Sequence, residues 1–240
     1  MILKNAFKNI FIASSFFYTL PAFTQELNKR TIPVQLFASK INEQIKAQII
    51  DVRTPDEFNI NHINGAINID MQKADYLNNI TFLDKTKPVF VYAIQSSRPD
   101  VIAKQLIDLG YTQVYELQSG IAAWIGAGYP YFSTAKNNFT IKDYNKVIAD
   151  NKLVLVDIGS KYCGICKKAK PVIDSIKTEY GTALKTIEID VQDSPQLIAD
   201  LKLVTAIPFI IIYKNGSIIL KRSGITDLKN NLETVLASSK

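Results

Sequence analysis

The chain has 240 residues, 47% of them hydrophobic, with 28 Lys and Arg against 22 Asp and Glu and a formal net charge of +6. That is enough apolar material for two ordinary domains, each able to bury its own core. Lysines and acids are interspersed, with no basic block or stripe of the kind that tracks a phosphate backbone, so composition excludes a nucleic-acid footprint.

Lys4 and Lys8 precede an apolar run over 10–20, followed by Pro21 and Ala22-Phe23-Thr24 ahead of Gln25. This is the form of a secretory signal peptide over 1–24, cleaved near Thr24. The run is shorter than the ~20 apolar residues of a membrane span, and no cysteine follows that could carry a lipid. The mature protein is therefore expected outside the cytoplasm, periplasmic or secreted, with no stable membrane anchor; an uncleaved anchor is the alternative.

From 31 to 132, apolar runs at 49–52, 66–69, 89–92 and 113–117 alternate with helical stretches such as 101–109. That βα alternation predicts an α/β unit, a parallel sheet with flanking helices. Residues 49–69, IIDVRTPDEFNINHINGAINI, carry Asp51-Val52-Arg53, Glu57-Phe58 and His62-Ile63-x-Gly65-Ala66, and LGYTQVYELQSGIAAWIGAGYP closes the segment over 109–130. On these motifs 31–132 resembles the rhodanese family along its whole length. The resemblance implies that the strand over 88–92 opens a six-residue loop that in active members begins with cysteine and ends with arginine. Here the loop reads Ala93-Ile94-Gln95-Ser96-Ser97-Arg98, with the length and Arg98 kept and the nucleophile replaced by Ala93. A methyl group carries no persulfide, so sulfurtransferase activity is not expected, and what remains is a loop of N–H donors at a helix N-terminus. His62, the single histidine, is placed by the resemblance in a loop where it satisfies backbone groups. Asp51 and Arg53 read as a local ion pair, and Trp124 as core. Residues 133–138 form a short polar linker into a helix whose start, Thr140-x-x-Asp143, has capping-box form.

The second unit, 138–240, holds the only two cysteines, Cys163 and Cys166, between an apolar β-type run at 153–158 and a helical pattern at 167–180. A strand-to-helix junction puts Cys163 at a helix N-terminus. Free backbone N–H groups and the helix dipole there lower a thiol pKa from ~8.5 toward neutrality and favour Cys163 as nucleophile. Cys166 is placed to resolve a mixed disulfide. Zinc would need about four ligands, and the chain offers two Cys and a distant His62. A purely structural disulfide over so short a loop would restrict the unfolded chain little.

The surrounding residues resemble thioredoxin. Asp157 stands where that family keeps a buried carboxylate relaying the proton of the resolving cysteine, and Pro171 where a proline kinks the active-site helix. AIPFIIIYKNG, 206–216, matches the cis-proline strand and hairpin. Ile207-Pro208 is then the cis peptide whose backbone binds an extended substrate segment, and Asn215-Gly216 a type I′ turn. Gly224 matches the late glycine, while Tyr162 departs from the usual Trp.

Together these imply a rhodanese-like domain followed by a thioredoxin fold with a mixed sheet and flanking helices, working as an extracytoplasmic thiol-disulfide oxidoreductase on protein substrates. Cys163 attacks, Cys166 resolves, Asp157 handles the proton, Ile207 and Pro208 present backbone, and the first domain docks substrate or partner. No metal or organic cofactor is implied. No Gly-x-Gly-x-x-Gly follows any strand, so electrons must come from a separate partner such as a membrane thiol reductase. Reductase, isomerase and oxidase directions stay open. The alternatives are a binding or scaffold protein whose loop 93–98 captures an anion or partner, with the Cys pair as redox sensor, or an acceptor of sulfane sulfur.

Overall fold

The computed structural model describes residues 31–95 and 97–238; the segment 1–24 read as a signal peptide and Ser96 lie outside the described residues. In the first domain β1 (Thr31–Ile32), α1 (Val34–Asn42), β2 (Gln48–Asp51), α2 (Pro55–Ile60), β3 (Asn61–Ile63), β4 (Ile67–Asn68), β5 (Val89–Tyr92), α3 (Ser97–Asp108), β6 (Val114–Leu117), α4 (Gly120–Gly126) and β7 (Tyr131–Ser133) follow in chain order. Five of the strands form a sheet in the order β1-β6-β5-β2-β4, every pairing parallel. The continuous run VFVY of β5 is buried at every position, as a central strand covered on both faces requires. β3 and β7 pair as a separate antiparallel ribbon.

Local chemistry sets the helix starts. Thr54 and Glu57 close a capping box on α2, with Pro55 at the first helical turn where its missing N–H costs nothing. Gly120 opens α4 at φ 62°, and a Cβ there would lie 2.3 Å from the Ala93 carbonyl oxygen, so glycine alone lets this helix press on the loop backbone.

The second domain comprises α5 (Ile141–Asp150), β8 (Leu153–Gly159), α6 (Gly164–Tyr180), β9 (Lys185–Asp190), α7 (Pro195–Leu201), β10 (Phe209–Lys214), β11 (Ser217–Ser223) and α8 (Leu228–Ala237). Its sheet, β11-β10-β8-β9, is mixed, with β8 and β9 parallel and the other pairings antiparallel. Thr140 and Asp143 form the expected capping box. Ile207-Pro208 is cis, and Asn215 and Gly216 both have positive φ, as a type I′ turn needs. α6 runs back from the apolar pattern at 167–180 to Cys163, which caps it at the helix N-terminus as expected.

The segment read as a linker begins inside the first domain: Ser133 is the last residue of β7, and the Thr134 N–H bonds the Ile60 carbonyl at 2.9 Å. Each domain has its own apolar cluster, one around Ile50, Val91 and Leu106, the other around Leu155, Ile173 and Leu232. A third runs continuously through both, from Phe37, Ile94 and Trp124 to Tyr144, Cys163 and Ile207. At this seam Gly126 of α4 approaches so closely that a Cβ would sit 2.0 Å from the Val204 carbonyl oxygen.

Candidate active site

β8 delivers the chain to Ser160, whose carbonyl accepts the Cys163 N–H at 3.0 Å and whose hydroxyl accepts the Tyr162 N–H at 3.2 Å. This tight turn aims Cys163 at the start of α6 as its N-cap. The backbone N–H of Cys166 donates to Cys163 Sγ at 3.2 Å, an interaction that strengthens once the sulfur carries charge. The two cysteines are disulfide-bonded, with Cα atoms 5.2 Å apart.

Asp157 and Cys166 line one pocket of about 500 Å³, together with Gly159, Lys170 and Glu188. Burial, and then the charge of Glu188, push the Asp157 carboxyl up to about 6, partly offset by Lys170 and Lys177, both of which bond Glu188 Oε1. The folded pKa lies above the ordinary 3.8, so the folded state keeps a proton that the unfolded chain releases. Stability from this group is therefore greatest below pH 3.8 and is lost as pH rises to about 6. Asp157→Asn is expected to stabilise the oxidised protein at pH 7 by up to about 3 kcal/mol and to flatten that slope. Urea midpoints measured from pH 4 to pH 7 check this; an unchanged slope would show that the carboxyl is not held protonated.

Ile207 is 2% exposed, and its carbonyl accepts a hydrogen bond from the Gln95 side-chain amide of the first domain. The Pro208 carbonyl accepts the Gly224 N–H at 2.9 Å. Cys163 is 0% exposed, whereas Cys166 is only partly buried. The first domain thus reaches the backbone of Ile207, the first residue of the cis peptide.

Ala93 is buried at the end of β5, its carbonyl bonded by the Ile121 N–H at 2.9 Å. Arg98 does not stand free to receive an anion. Its guanidinium donates to both oxygens of Glu57, at 2.9 and 2.8 Å. Burial works against the Glu57 charge, but the hydrogen bonds and charge of Arg98, with the Thr54 N–H and the Arg53 charge, together hold its pKa below the usual carboxylate range. His62 lies in β3, correcting its placement in a loop. The ring stacks between Phe58 and Phe132, and Nδ1 is 2.9 Å from the Phe58 carbonyl oxygen.

Three fully or partly buried polar residues escaped the sequence reading: Asn61, Gln95 and Gln192. Asn61 Nδ2 donates to the Gln192 carbonyl at 3.5 Å, Gln192 Nε2 to the Glu57 carbonyl at 3.3 Å, and Ser160 Oγ to Gln192 Oε1 at 3.4 Å. Behind them Arg53 is buried against Asp51, with Nε to Oδ1 at 2.9 Å and Nη2 to Oδ2 at 2.6 Å, and reaches Asn61 Oδ1 at 3.4 Å. Among the described residues no group of three or more His, Cys, Asp and Glu converges as a metal ion would require.

Comparison with known proteins finds the family model "Rhodanese-like domain" over residues 34–127 and the model "Thioredoxin" over 135–238. The thioredoxin of Pyropia yezoensis is 37% identical over 71 residues, 30% of this chain and 65% of that protein. The thioredoxin of Rickettsia typhi is 30% identical over 100 residues, 41% of this chain and 94% of that protein. The solved thioredoxin of Plasmodium falciparum aligns over 42% of this chain and 95% of its own, with 25% identity and a TM-score of 0.37.

Proposed function

The chain belongs to the thioredoxin family through its second domain, and from that premise we propose that it is a thiol-disulfide oxidoreductase acting on protein disulfides outside the cytoplasm. The observation that carries the reading is the Cys163–Cys166 disulfide at the N-terminus of α6, with the Cys166 N–H on Cys163 Sγ and Asp157 lining the same pocket as Cys166.

In the reduced protein the Cys163 thiolate attacks one sulfur of a substrate disulfide, forming a mixed disulfide and expelling the other substrate sulfur as a thiolate. Cys166 gives its proton to Asp157, which is ionised at neutral pH, and attacks Cys163 Sγ. The second substrate thiolate leaves, and the enzyme is left oxidised by two electrons. A separate dithiol donor, such as a membrane thiol reductase, returns them. Ile207 and Pro208 hold the substrate strand by its backbone, and the rhodanese-like domain docks substrate or partner, a role its continuous core with the second domain supports.

Full-length protein should accelerate dithiothreitol-driven reduction of insulin; a rate no higher than that of dithiothreitol alone overturns the proposal. For the location, mass spectrometry of native protein should find a mature N-terminus near Gln25, and an intact Met1 on most molecules would count against export. Among the described residues no helix is long and apolar enough to cross a membrane. A second reading, a binding protein with a redox-sensing pair, draws on the complete burial of Cys163. It requires that Cys163→Ser leave partner binding and the physiological effect untouched.

A further inference from the structure

Reactive cysteines sit in partly exposed surroundings, because a thiolate that nothing can reach does no chemistry. Here the residue at the helix N-terminus, Cys163, is wholly covered, while Cys166 opens on a pocket lined only by second-domain residues. The first domain makes two sets of polar contacts with this part of the second domain. Ser160, whose carbonyl holds the Cys163 N–H, bonds Gln192, and Gln192 is bonded to Glu57 and Asn61. Gln95 donates its side-chain amide to the carbonyl of Ile207, which shares an apolar cluster with Cys163. That carbonyl is the backbone acceptor the oxidoreductase reading reserves for a substrate peptide N–H, and the Gln95 amide is chemically the same donor.

We propose that the rhodanese-like domain is a gate: it occupies the protein-substrate face of the second domain, with Gln95 as an internal stand-in for substrate backbone, and Cys163 meets protein disulfides only when the two domains part. This rests on the oxidoreductase reading. Beside its apolar seam the interface buries the amides of Asn61 and Gln192, polar groups that water satisfies on opening.

Two substitutions open the gate by independent means. Gln95→Ala removes the latch. Gly126→Ala adds a methyl 2.0 Å from the Val204 carbonyl oxygen across the seam, while within α4 itself alanine is the better helix former. The reduced full-length protein is treated with N-ethylmaleimide, and labelling of Cys163 and Cys166 is followed separately by mass spectrometry. Loss of one interdomain hydrogen bond should shift the opening equilibrium about fivefold. Cys163 labelling and insulin reduction are expected to rise by that factor, with Cys166 labelling unchanged because its pocket lies within the second domain. Selective acceleration at Cys163 in either variant is the expected result. Equal Cys163 rates in wild type and both variants overturn the gate, as does a parallel rise at Cys166, which would signal general loosening. Failure of the oxidoreductase reading looks different: Cys163 labelling responds, but no variant reduces insulin.

Discussion

Cys163→Ala is expected to bring insulin reduction down to the rate of dithiothreitol alone, a loss of about a thousandfold in the catalysed rate, because Cys163 is the sulfur that caps α6 and Cys166 left alone cannot complete the two-sulfur exchange. Cys166→Ala should behave differently. The attacking sulfur remains while the resolving one is gone, so substrates stay attached as mixed disulfides that survive alkylation and appear as mass adducts on Cys163. The donor geometry supports this division of roles, since the Cys166 N–H points at Cys163 Sγ. Adducts that collect on Cys166 in a Cys163→Ala protein, with turnover retained, would reverse it.

The second large effect falls on stability. Asp51 and Arg53 form an ion pair with both side chains at 0% exposure, and although burial works against its charge, Arg53 is raised above its ordinary pKa because Asp51, Tyr92 and Glu57 together outweigh that cost. Arg53→Met leaves the Asp51 carboxylate buried without its partner and the Asn61 side chain without a donor. The expected loss is about 3–5 kcal/mol, a fall in Tm of roughly 6–20 °C for a chain of this size. Thermal unfolding followed by circular dichroism measures it. The Asp51→Leu, Arg53→Met double variant should recover part of the loss, because the penalty lies in the orphaned charge more than in the missing attraction. A single-variant loss below about 1 kcal/mol would show that water reaches the carboxylate, contrary to its burial.

The loss should also reach the reactive face. Arg53 bonds Asn61, Asn61 bonds the Gln192 carbonyl, and Gln192 meets Ser160 beneath Cys163. Thermal unfolding of Arg53→Met is therefore a test of the first domain and of the seam at once, while the Gln95 and Gly126 variants test the seam alone.

What the sequence determined by itself is whatever depends on neighbours a few positions away. The apolar run 89–92 became β5, Thr140 and Asp143 closed their box, Asn215-Gly216 made the turn, and Asp51 found Arg53 two residues on. In each case side-chain shape, φ preference or a short hydrogen bond decides locally, so the residues carry their own instruction. The parallel and mixed sheets were legible for a related reason, since strand periodicity and motif order leave few topologies open. His62 in β3 was not, because it adds nothing to an apolar period. Tertiary structure alone decided that Arg98 binds Glu57, 41 positions away, and that Gln95 reaches Ile207 across 112. It alone decided that Cys163 is covered. Asn61, Gln95 and Gln192 are polar residues with the look of ordinary surface, and only the meeting of two separately patterned faces turns them into buried partners, because complementarity between such faces has no period along the chain.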